Sequence, residues 1–77
     1  MIEQLLTEAP IPREISVQQD GLIYIFRCEK YALLNKLRSY IYLLNCQEVL
    51  QVSYISDIHP KKGLSHSFTL VLQDNID

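Results

Sequence analysis

Cys28, Cys46, His59 and His66 carry the reactive side chains of this 77-residue sequence, and Asp57 lies two residues before the first histidine. Their spacing argues against a metal site. Cys28 and Cys46 stand too far apart to form the close C-x2–4-C pair that pre-orders a zinc half-site, and His59 and His66 are wider apart than H-x3–5-H. Asp57, His59 and His66 could supply at most three weak ligands on one loop, so no metal and no cofactor is assigned. A hydrolase would need Ser65 or Ser67 activated by His66 or His59, with Asp57 orienting the base. Neighbours along an extended chain point to opposite faces, however, which makes Ser65–His66 a poor nucleophile–base pair. No spacing brings either cysteine to a histidine. A chain this small also has little volume for a substrate pocket, so a non-enzymatic protein is expected.

Binding chemistry is better represented. Tyr31, Asn35, Arg38 and Tyr42 recur at i, i+4, i+7 and i+11, which places them along one side of a helix, with two tyrosines bracketing an arginine. Tyr and Arg dominate interface hot spots, because a ring buries a large area at low entropic cost and a guanidinium both stacks and pairs. The competing reading is a solvated face with its hydroxyls in water, or a Tyr31 that caps the sheet edge. A second surface comprises Lys36, His59, Lys61 and Lys62. From Lys30 to Lys62 there are five basic residues and two acidic ones, Glu48 and Asp57, in a chain whose formal charge is −2. With Arg38, these lysines could meet phosphates while Tyr31 or Tyr42 stack on bases. Adjacent lysines near a glycine are also what keeps an ordinary loop solvated.

The elements that must hold these residues follow from periodicity. Residues 2–9 place Ile2, Leu5, Leu6 and Ala9 on one side of a short helix that could persist only by docking, and Pro10 and Pro12 make a hinge. From Arg13 the pattern alternates as an edge strand, with Ile15 and Val17 on one face. Asp20-Gly21 then supplies the positive φ angles of a hairpin turn. Leu22–Cys28 is apolar on both faces, as an interior strand is. Residues 29–45 read as a helix, with Glu29 at its positive end and Asn45 as its cap. Leu33, Leu34, Leu37, Tyr40, Ile41 and Leu44 fall within its core arc. Residues 48–55 place Leu50, Val52 and Tyr54 on one face of a third strand, and residues 66–73 place Phe68, Leu70 and Leu72 on one face of a fourth. Residues 56–65 read as the loop between them. The expected fold is an α+β two-layer sandwich of order ββαββ, a four-stranded sheet with one helix on one face. Ile23, Ile25, Val49, Ile55 and Val71 would line the uncovered face.

Length and composition frame these readings. The 77 residues make one small domain, with residues 1–12 as N-terminal segment and hinge and residues 74–77 as a frayed tail. With 48% hydrophobic residues the chain should fold, and its charge balance lacks the basic excess of a dedicated nucleic-acid binder. The acids in residues 1–9 do not suit a signal peptide, which points to the cytoplasm, where Cys28 and Cys46 stay reduced. A helix between these cysteines would also hold them too far apart for a bridge. The expected function is a small interaction or regulatory module that docks a partner protein or a second copy of itself. The alternative is a nucleic-acid-binding module using Lys36, Arg38, Lys61 and Lys62.

Overall fold

A computed structural model describes residues 11–44, 46–58 and 65–73 of the chain. The expected N-terminal helix, the Asn45 cap, the loop bearing His59, Lys61 and Lys62, and the tail at 74–77 lie outside the described residues. The elements are β1 (Ser16–Asp20), β2 (Ile23–Cys28), α1 (Tyr31–Leu44), β3 (Val49–Val52), β4 (Ser56–Ile58) and β5 (Ser65–Leu72). Among the described residues they form the expected α+β sandwich, one helix on one face of an antiparallel sheet of order β1-β2-β5-β3, with β4 also paired to β5. The sheet has five strands where four were expected, because the strand read at 48–55 runs on past a break. β3 pairs with the Leu70–Leu72 end of β5, and β4 pairs with its Ser65–Ser67 end. The first residues of the expected 56–65 loop are therefore strand.

The hairpin forms one residue later than the Asp-Gly reading placed it. Asp20 pairs with Ile23, leaving Gly21 and Leu22 as the two loop residues. Gly21 adopts φ 61°, a left-handed conformation that glycine accepts without a Cβ clash. β2 lies inside the sheet, as its two apolar faces require. Tyr24, Phe26 and Cys28 point to the helix and are buried; Ile23, Ile25 and Arg27 point away. Phe26 pairs with Phe68 across the strands, and their rings stack at 4.8 Å between centroids. With Leu34, Ile41 and Leu70 these two rings are the most deeply buried side chains.

α1 begins at Tyr31, two residues after the expected start. The Lys30 carbonyl accepts the Leu34 N–H, and Cys28 Sγ accepts the Lys30 N–H at 3.3 Å, so the chain is turned into the helix from the end of β2. Only Leu34, Leu37 and Ile41 of the expected arc are buried, with Leu33 packed at its margin. Tyr40 and Leu44 are exposed. At 100° per residue the buried arc is centred about 30° from the expected one, turned toward the flank that carries Arg38. The reason lies in the sheet: α1 packs on β2, β5 and β3, leaving Val17 of β1 uncovered.

A bulge changes the facing of β3. Val49 pairs with Leu72 and Gln51 with Val71, so Leu50 is an extra residue opposite no partner. Val49 and Val52 consequently both pack toward the core, and Leu50 projects into solvent. Val49 and Ile55, expected on the far face, belong to the core side. Ile23, Ile25 and Val71 do lie on the far face, among Ser16, Gln18, Asp20, Ser67 and Thr69.

Candidate functional site

The break between β3 and β4 builds the most unusual surface of the molecule. In a regular antiparallel pair the Thr69 N–H would reach the carbonyl of its partner. Here the Ser53 N–H donates to the Thr69 carbonyl at 2.9 Å, but the Thr69 N–H donates to Ser53 Oγ at 2.7 Å. The same hydroxyl donates to the Tyr54 carbonyl at 3.1 Å. The hydroxyl has replaced the backbone acceptor, and the Ser53 carbonyl is turned out of the ladder toward α1. Arg38 Nε donates to that carbonyl at 2.6 Å.

This bond fixes a guanidinium between two exposed rings. The Arg38 Cζ lies 5.0 Å from the centroid of Tyr54 and 6.0 Å from that of Tyr42. Both distances fall within the range of cation–π attraction. Tyr54 is 85% exposed and Tyr42 66% exposed, although a tyrosine tucked against a surface normally hides far more of its ring. Leu43 and Leu50 are also mostly exposed beside them. A groove of about 480 Å³, lined by Ile41, Tyr42, Leu43, Cys46, Val49 and Leu50 among others, adjoins the tyrosine–arginine cluster through Tyr42.

The predicted set Tyr31, Asn35, Arg38 and Tyr42 therefore lies on one flank of α1, beside β4 and the break. Its members differ in use. Tyr31 meets the buried His66 ring edge-on at 5.4 Å, close to the sheet-edge role weighed for it. Asn35 is exposed one turn before Arg38. Tyr54, which the alternation assigned to a strand face, joins Arg38 and Tyr42 instead. Its signal in the sequence was only a tyrosine following a serine at the end of an alternating run. Lys36 is exposed on α1 about 200° around the axis from Arg38, so the two cannot serve one flat ligand.

A second cluster forms where β4 meets β5. Asp57 pairs with His66 in register, and His66 Nδ1 lies 2.7 Å from Asp57 Oδ1. A carboxylate only accepts, so Nδ1 carries the shared proton. Cys28 is the register partner of His66 on the other side, which places Cys28, His66 and Asp57 in one row across three strands. No spacing along the chain signals this proximity, because it depends on strand order. Among the described residues Cys28 Sγ accepts only from the Lys30 N–H, and no hydrogen bond joins it to His66. The row is thus a packed, bonded part of the sheet, with Asp57 holding the histidine ring beneath Tyr31. Ser65 and Ser67 flank His66 along β5 and belong to the opposite sheet face, as their spacing required. Among the described residues no group of His, Cys, Asp and Glu is arranged to hold a metal ion, and no helix is long and apolar enough to cross a membrane. The chain matches no known family model, no curated protein and no solved structure.

Proposed function

We propose that this chain is a small docking module that acts by binding a partner protein through the face formed by Tyr42, Arg38 and Tyr54, with Leu43 and Leu50 at its rim. The observation that carries this reading is the guanidinium held by a backbone carbonyl between two largely exposed tyrosine rings. Arg38, of a residue type that often dominates binding energy, is held by its carbonyl bond before any partner arrives, so it loses little further entropy on association. The free thiols of Cys28 and Cys46 suit a reducing, cytosolic setting. The face serves binding and not catalysis. Of the cations considered for a nucleic-acid contact, the face holds Arg38 alone among the described residues.

The test is affinity capture from native lysate with and without nuclease, using the wild-type chain and its Tyr42→Ala, Tyr54→Ala and Gln18→Ala variants as baits. The expected result is a defined protein retained by wild type and by Gln18→Ala, on the far sheet face, and lost from both tyrosine variants. Each tyrosine should contribute about 1–3 kcal/mol to association while melting temperature stays unchanged. Retention by all four baits, or recovery of nuclease-sensitive material alone, would overturn the reading.

A further inference from the structure

The partner's chemistry is written in what Arg38 lacks. A guanidinium carries five N–H donors and is always charged. Nε is committed to the Ser53 carbonyl, and among the described residues the two Nη groups have no hydrogen-bond or ion-pair partner: the ion pairs there are Lys30–Glu14 and His66–Asp57, and neither includes Arg38. Covering this cation with an uncharged surface would strip its water without replacing it, a cost that a partner of opposite charge offsets when it also satisfies the free N–H donors. We infer that the docking partner presents a side-chain carboxylate to the Nη edge of Arg38, between the Tyr42 and Tyr54 rings, with an apolar side chain beside it in the adjoining groove. This inference rests on the docking reading above and specifies its partner.

Three observations select that ligand. Because Nε is occupied, the side-on pairing that uses Nε and one Nη is closed, and the end-on pairing through both Nη groups is the bidentate geometry left to a carboxylate. A phosphodiester backbone calls for a track of cations, whereas Lys36 is turned well away from Arg38, and Leu43 and Leu50 line the groove that includes Tyr42. The groove that shares Tyr42 with the cluster is lined by Ile41, Leu43, Val49 and Leu50, which suits an aliphatic or aromatic side chain close to the acid.

Short fluorescent peptides test the assignment directly. Three sets, identical in Leu and Phe content and placement, carry Glu, Gln or phosphoserine at one central position and are titrated by anisotropy against wild type and the Arg38→Lys, Arg38→Gln and Tyr54→Ala variants. Glu peptides should bind wild type about tenfold or more tighter than Gln peptides, the size of one charge-assisted contact. Arg38→Lys should weaken Glu binding by loss of the fork, and Arg38→Gln should erase the Glu preference. Equal binding of Glu and Gln peptides by wild type, with both lost in Tyr54→Ala, would overturn the carboxylate while leaving the docking face intact. Preference for phosphoserine would replace the carboxylate by a phosphate. A library that fails to bind at all would also overturn the carboxylate, and the capture experiment judges the docking reading separately. The Glu-to-Gln comparison on wild type keeps the result independent of whether any Arg38 variant folds.

Discussion

Ser53 shows how one small side chain changes what a backbone can do. Its hydroxyl is both the acceptor for the Thr69 N–H and the donor to the Tyr54 carbonyl. Local bonding of this kind is why serine so often competes with regular secondary structure. The outcome is a carbonyl released from the ladder and taken by Arg38. Ser53→Ala should leave the half-buried Thr69 N–H without its acceptor and cost about 1–3 kcal/mol of stability, measured by urea unfolding. Unchanged stability would mean that the Ser53 carbonyl can return to the ladder, and Arg38 would then lose its anchor. Asp57 has a comparable local role, because its carboxylate fixes the orientation of the buried His66 ring against which Tyr31 leans.

At the scale of elements, the position of α1 on the sheet decides which residues are core and which are surface. Leu34, Leu37 and Ile41 face β2, β5 and β3, and the helix leaves β1 bare. That offset brings Arg38 within reach of the break in the neighbouring strand and lifts Tyr40 into solvent on the other flank. Leu34→Ala should therefore cost about 2–5 kcal/mol, the usual toll of a large-to-small change at a fully buried site. Tyr40→Ala, at a residue 41% exposed, should cost about 1 kcal/mol, well below the Leu34 change. Paired thermal melts of the two variants check the offset, since a helix seated on the arc expected from periodicity would make both changes expensive. The bulge at Leu50 acts at the same scale: it resets the alternation of β3 so that two valines share the core side, and it pushes a leucine out into solvent.

For the whole molecule, a single layer of core must hold a short chain. Such a domain is stabilised by only about 3–5 kcal/mol, so the Leu34 change alone would take most of it. The two cysteines report on global integrity. They flank a helix of fourteen residues, which spans about 21 Å, too far for a bridge. Cys28 is buried beneath the sheet end and Cys46 is half-buried in the groove. A thiol reagent should modify Cys46 about tenfold or more faster than Cys28 in the folded protein, and both at similar rates in denaturant, as located by peptide mass spectrometry. Equal rates without denaturant would show that the core opens readily. A reductant should leave the melting temperature unchanged.

Taken alone, the sequence determined most of what depends on near neighbours along the chain, to within a residue or two at the hairpin and the helix start. The turn at Gly21, the interior character of β2, the helix with Leu34, Leu37 and Ile41 inward, and the alignment of Tyr31, Asn35, Arg38 and Tyr42 all follow from periods of 2 and 3.6 and from one glycine. Apolar periodicity also gave the α+β sandwich, because one amphipathic helix and a set of alternating strands have few other ways to bury their faces. What only the tertiary structure decided depends on residues far apart in sequence. The bulge that turns Val49 inward, the end of the expected strand at Val52 with a further strand, β4, in the expected loop, and the row Cys28–His66–Asp57 are consequences of which strands lie beside β5. Tyr54 joins Arg38 because a hydroxyl in the break after β3 satisfies an amide on β5, an exchange between two segments that no pattern within either one encodes.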